Sequence, residues 1–287
     1  MPLSFSNAAF LDQLGPLTQR AIRETFIGPA PKALYHYTKP EIAQKIITSR
    51  EIWATCLTAQ NDPTELTNGI NLIERTAIQF LDKENNLFFR RVLVELPEYM
   101  RIRKKWIFIT CFCGIEQSKL HVSSFGASCF RFDIPQGWRP QFECRDRTAN
   151  AWYSPVLYSE REQLQSIRRF LEELRLVVLR NLQGTPEHDR AGWLHQSVTR
   201  DAANCLLLLA ACFKRQKYEW EREWRLLFMP NLAPGTSAPS MSDDAFAIVI
   251  ESQPVRHIRL RRKPPATGVF QNWILRQAPA PFDGIVD

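Results

Sequence analysis

Tyr218-Glu219-Trp220-Glu221-Arg222-Glu223-Trp224-Arg225-Leu226-Leu227-Phe228 decides how the rest of the chain is read. Acids and aromatics alternate and then pass without a break into Leu-Leu-Phe. Period-two alternation predicts a strand over Glu221 to Phe228. In a strand, Glu219, Glu221 and Glu223 fall on one face, with Trp220, Trp224 and Leu226 on the other. Carboxylates stacked about 7 Å apart repel one another unless cations or a substrate sit opposite. A carboxylate that leads into a buried strand is also where a catalytic acid can stand. The plain alternative is a solvated edge, with Arg222 and Arg225 as counter-charges.

Working outward, composition sets the bounds. The chain has 287 residues, 45% hydrophobic and 23% charged, enough to bury a sizeable core. Met1 to Ala9 lacks a basic, apolar leader, and the longest apolar run, Cys205 to Phe213, is too short to span a bilayer, so a cytoplasmic protein without a membrane partner is expected. Seven cysteines without framework spacing predict reduced, mostly buried thiols. His188, Asp189 and His195 lack metal-site spacing, so no metal centre is expected. The net charge is +7, and basic runs occur at Arg101-Ile-Arg103-Lys104-Lys105 and from Arg256 to Lys263. Such runs suit an anionic partner, nucleic acid or a dinucleotide, although solvated surface is the plainer and favoured reading.

Phe5 to Ile27 has helical spacing and ends at Gly28-Pro29-Ala30-Pro31. Ala33 to Tyr37 reads as a strand, and Lys39-Pro40 opens a helix to about Ser49. Ile52 to Leu57 is a second strand. Helices are predicted over Thr64 to Lys83 and Leu87 to Val94, strands over Trp106 to Cys113 and Ala127 to Ile134. Two helical blocks, Ser159 to Leu182 and Thr199 to Lys214, precede the Glu-Trp-Arg strand. Ala245 to Ile250 and His257 to Leu260 are the last predicted strands. Strands, then helices, then strands argue an α+β fold with a helical insertion. The expectation is one domain over residues 1–287, with residues 1–30 an N-terminal helix and turn and residues 159–214 the insertion.

Three separated motifs follow in order: Leu34-Tyr35-His36-Tyr37-Thr38; Ile52-Trp53-Ala54-Thr55 with Asn61-Asp62-Pro63-Thr64-Glu65 beyond it; and Glu221-Arg222-Glu223-Trp224-Arg225-Leu226. Over about Leu34 to Leu260 the chain resembles a widespread bacterial family known only as a domain of unknown function. That family looks distantly like the ADP-ribosyltransferases of the His-Tyr-Glu class. The resemblance implies a split, mostly antiparallel sheet and NAD as substrate. It implies that His36, with Tyr37 and Thr38, holds the ribose, and that Trp53 stands where the class has Tyr. Glu223 becomes the catalytic acid, with Glu221 orienting the acceptor or the 2′-hydroxyl. The chemistry suits these residue types. Loss of nicotinamide develops oxocarbenium character, which an anchored carboxylate stabilises. An aromatic face stacks on the nicotinamide, and an imidazole donates to ribose oxygens.

The chain departs from the family where Leu120-His121-Val122-Ser123-Ser124-Phe125 replaces the Trp and Tyr that many relatives carry before the glycine corresponding to Gly126. Locally, Asp62 and Glu65 read as a helix cap, and Arg225 as the partner of a neighbouring acid. Two functions are therefore expected to compete. One is an NAD-dependent ADP-ribosyltransferase acting as a toxin, effector or phage-defence component on a protein or nucleic-acid acceptor. The other is an inactive scaffold that binds nucleic acid or protein. An enzyme requires His36, Trp53 and Glu223 to converge; a scaffold leaves them scattered or plugged.

Overall fold

A computed structural model describes residues 14, 16–18, 20–22, 24–26, 31–49, 51–57, 64–104, 107–115, 119–133, 149–185, 187, 190, 192, 198–230, 248–250, 257–261 and 274–277. The chain forms two compact units. A helical unit draws on Met1–Ile27, Gln60–Ile107 and Leu157–Lys217. A sheet unit draws on Gly28–Ala59, Phe108–Val156 and Tyr218–Asp287. The helical block at residues 159–214 thus belongs to a larger body that also recruits residues 60–107. Among the described residues, no helix is long and apolar enough to cross a membrane.

The sheet unit is mixed helix and sheet, and the nine strands among its described residues form one open antiparallel sheet. Its elements are β1 (Ala33–Thr38), α1 (Pro40–Ser49), β2 (Glu51–Cys56), β3 (Phe108–Cys113), α4 (Lys119–Phe125), β4 (Ser128–Asp133), β5 (Ala149–Pro155), β6 (Glu223–Pro230), β7 (Ile248–Ile250), β8 (His257–Arg261) and β9 (Ile274–Gln277). β3 is the spine. One of its edges pairs with β6 along its whole length, from Phe108↔Phe228 to Cys113↔Glu223. Its other edge is shared: β2 pairs at Thr55↔Ile109 and Cys56↔Phe108, and β1 pairs at Tyr35↔Cys113. The sheet therefore forks at β3, into a β2–β8–β7 wing and a β1–β4–β9 wing. β5 lies beyond β6. Neither β5 nor β9 is expected from the sequence; among the described residues each pairs with a single neighbour.

The strand expected over Glu221 to Phe228 needs correction. The run from Tyr218 is not a continuous strand. Gln216–Glu221 is a 3₁₀ helix, Arg222 is left-handed at φ 45°, and extended structure begins at Glu223. A left-handed residue cannot continue a pleat, so Glu219 and Glu221 do not stand in strand register with Glu223. Leu120–Phe125, where the chain departs from the resembled family, is part of helix α4. α4 ends at Gly126, whose φ of 123° a side chain rarely adopts. A Cβ there would lie 2.4 Å from the Thr38 carbonyl oxygen, so glycine is required twice over.

The helical unit contains α2 (Thr64–Leu81), α3 (Leu87–Arg103), α5 (Glu160–Gly184) and α6 (Thr199–Ala210). α3 runs through Pro97 rather than stopping near Val94. Burial of Phe89, Val92, Leu93, Leu96 and Met100 offsets the cost of about 3 kcal/mol that an internal proline carries. Asn86 caps α3 by accepting the Phe89 N–H at 3.0 Å. α6 is buried on nearly every side, which makes it the centre of the bundle. Gly69 of α2 permits that centrality, since a Cβ would meet the Ala210 carbonyl oxygen at 2.9 Å.

Candidate functional site

The three strands that carry His36, Trp53 and Glu223 all dock on β3. Register then separates the three positions. Cross-strand partners share a face and successive residues alternate. Tyr35, Cys113 and Glu223 lie in one cross-strand row, and Thr55 joins that face through Ile109. The face therefore holds the positions of Tyr35, Tyr37, Trp53, Thr55, Cys111, Arg225 and Glu223. Leu34, His36 and Thr38 belong to the opposite face, with Phe112 and Trp224. His36 is thus not brought together with Glu223.

His36 is locked where it stands. Its Nδ1–H donates to the Cys111 carbonyl at 2.9 Å, and its ring lies 5.7 Å from that of Phe112. Among the described residues β1 has one register pair with β3, Tyr35↔Cys113, and the His36 imidazole adds a second link to that strand at Cys111. Burial lowers its pKa and outweighs the opposing hydrogen bond to Cys111. Neutral and donating through Nδ1, the ring keeps Nε2 as an acceptor. It could accept from a ribose hydroxyl rather than donate to a ribose oxygen, the reverse of the role the resemblance implies.

Glu223 is 5% exposed and Arg225 2%. Arg225 Nε donates to Glu223 Oε1 at 2.7 Å and Nη2 to Oε2 at 3.1 Å, a two-point grip within one strand. Arg225 accordingly pairs with a neighbouring acid. Glu221 is also buried, at the end of the 3₁₀ helix, whereas the Glu219 side chain is 49% exposed and meets Arg222 only at 3.9 Å. The Arg222 carbonyl accepts the Gly114 N–H at 2.8 Å, which ties the turn to the end of β3.

Tyr37 belongs to the core. It packs with Ala33, Tyr35, Cys113 and Cys129. Burial pushes the Cys129 thiol up to about 12, against the pull of the Tyr37 hydroxyl bonded to it. The ring stacks on His121 with centroids 5.3 Å apart. Thr38 is buried opposite Ser128. Trp53 stands in register with Arg259 of β8. Asn61, Asp62 and Pro63 lie outside the described residues, so the helix cap read there does too.

His121 is the residue the sequence undervalues. It is fully buried, and its Nε2–H donates to the Glu221 carbonyl at 3.1 Å. Its ring also meets Trp220 edge-on at 5.3 Å. It therefore joins β1 to the turn that ends at Glu221. A histidine in a seven-residue helix has no spacing that announces such a role.

Among the described residues, Cys111, Cys113, Cys129, Cys205 and Cys212 form no disulfide. Among the described residues, no group of three or more His, Cys, Asp or Glu could hold a metal ion. No protein-family model, curated protein or solved structure significantly matches the chain.

Proposed function

We propose that the sheet unit is a non-catalytic binding scaffold related to the ADP-ribosyltransferases, with single-stranded nucleic acid as its partner. One observation carries the first half of this reading. Glu223 is buried in a two-point grip with Arg225, on the face opposite the position of His36. A carboxylate neutralised by a guanidinium and removed from solvent is poorly placed to stabilise an oxocarbenium ion. Nucleic acid is favoured by the net charge of +7 and by β8, where Arg259 stands in register with Trp53 and Arg261 follows two residues on. Cations interleaved with aromatics suit a backbone-tracking, base-stacking surface. The run at Arg101 contributes less, because Arg103 is buried and donates to Asn204 at 3.2 Å.

The test pairs two measurements on the full chain. A labelled single-stranded RNA or DNA of about 20 nucleotides binds, and its affinity falls with salt at a slope of about −0.7 per phosphate neutralised. Labelled NAD releases no nicotinamide, with or without the oligonucleotide. Salt-independent binding, or none, removes nucleic acid as the partner. NAD turnover that disappears in folded Glu223→Gln overturns the scaffold.

A second reading has its own support: three strands bearing the expected residues share one spine, and the Trp53 position lies on the Glu223 face. In that reading the chain is an NAD-dependent ADP-ribosyltransferase, with Glu223 as the acid, Glu221 oriented toward the acceptor, and a protein or nucleic-acid acceptor in a toxin, effector or phage-defence setting. NAD would have to displace Arg225 from Glu223 for that chemistry to proceed.

A further inference from the structure

The helical unit contains a cleft of about 730 Å³, set between α2, the start of α5 and the segment after α6. That volume lies in the range of small-molecule sites. Its described lining residues all belong to the helical unit.

The lining is charged but balanced. Among the described lining residues, Glu65, Glu74 and Glu160 stand with Arg75, Lys214 and Arg215, three acids against three bases in a protein of net charge +7. The charges sit at two depths. Lys214 Nζ meets Glu65 Oε1 at 3.3 Å with the two side chains only 11% and 10% exposed. Arg75 and Glu160, 3.6 Å apart, are two-thirds exposed. A nearly buried ion pair gives little net stability, because desolvation cancels much of the attraction. Here the backbone that carries Lys214 is pinned by hydrogen bonds. The Gln163 amide donates to the Leu157 carbonyl at 2.8 Å and to the Lys214 carbonyl at 2.9 Å, and the Lys214 N–H donates to the Leu157 carbonyl at 3.1 Å. The backbone on either side of the lysine is fixed before any ligand arrives, which lowers the entropic cost of binding.

We infer that this cleft binds a small zwitterion of the amino-acid or dipeptide class. Its carboxylate would meet Lys214 and Arg75, and its ammonium Glu65 and Glu160. The balance of charge carries the assignment. An anionic ligand meets three carboxylates and a cationic one three bases, whereas a molecule with both charges finds a partner for each. An uncharged polyol would leave the deep pair with no better partner than itself.

Thermal shift and calorimetry on the full chain test the assignment, with each standard amino acid and diglycine against adenosine monophosphate and glucose. At least one zwitterion raises the melting temperature and binds, while adenosine monophosphate and glucose do not. The double variant Glu65→Gln/Lys214→Met weakens that zwitterion by about tenfold or more, the scale of one charge-assisted hydrogen bond. If the double variant does not fold, Arg75→Ala, at the exposed rim, still weakens binding by about threefold. Binding by adenosine monophosphate or glucose but by no zwitterion overturns the assignment. So does the absence of binding by any compound, or zwitterion affinity left unchanged by Arg75→Ala together with any folded floor variant.

Discussion

Each unit buries a charged cluster, and the two clusters are assembled in different ways. In the sheet unit, Glu223 and Arg225 are two residues apart on one strand, and both carboxylate oxygens are engaged. In the helical unit, Asp201 of α6 receives Arg200 Nε at 2.8 Å on Oδ1, while Oδ2 has no hydrogen-bond partner among the described residues. Arg103 of α3 adds its charge nearby and commits its Nε to Asn204. The contrast shows how burial acts on charge. A fully satisfied pair stays ionic at little net cost, whereas an under-satisfied carboxylate moves toward its neutral form. Burial accordingly raises the Asp201 pKa, against Arg200 and then Arg103, and lowers that of Arg103, with Arg200 adding to the effect.

The largest expected effect tests the satisfied pair. Glu223→Gln leaves Arg225 buried without its counter-charge and should cost about 3–5 kcal/mol. Glu223→Leu with Arg225→Met should recover most of that loss. Chemical denaturation of the three proteins checks this, and an unchanged Glu223→Gln midpoint would show that the pair is not a structural unit. Next in size is Gly126→Ala. The positive φ and the approach to Thr38 together should cost about 2–3 kcal/mol, read from the same denaturation curves.

The under-satisfied cluster is probed by pH. A folded-state pKa above the unfolded value means that the native state binds the proton more tightly. The contribution of Asp201 is then fullest below the unfolded carboxylate value and is lost as pH rises through the raised one. Asp201→Asn should flatten the melting-temperature profile from about pH 4 upward. A variant that keeps the wild-type slope would assign that slope to other groups. Glu84 supplies the opposite sign. Burial acts to raise its pKa, but Arg175 and the N–H groups of Asn86 and Asn85 outweigh it and hold the value low. Its contribution is present above the ordinary carboxylate range and fades as pH falls. The smallest effect is a gain: Arg222→Gly relieves the left-handed backbone and should stabilise the fold by about 0.5–1 kcal/mol.

The legible parts of this chain are those whose signal is local. β1, α1, β3 and the long helices follow apolar spacing, and the Glu223–Arg225 pair follows from two-residue periodicity. The shared spine is also consistent with the ordering of the three motifs. The helical cluster joins residues about a hundred positions apart, so no window of sequence contains it. The face on which His36 lies depends on where β1 pairs with β3, and one residue of register reverses it. Alternation misled at Glu219 to Glu223 because a 3₁₀ turn followed by one left-handed residue imitates a pleat in sequence. His121 acts through packing, which residue type alone does not reveal.

The spine strand also orders events in time. β1 and β2 precede β3, but β6 begins at Glu223, about 110 residues after Cys113. During synthesis, the long edge of Phe108–Cys113, with Phe108, Ile109 and Phe112, remains unclosed while the whole of α5 and α6 is made. An unpaired apolar edge is a template for association with other chains. A chain interrupted before Glu223 would carry that edge permanently, so early termination there yields an aggregating fragment rather than a smaller folded protein.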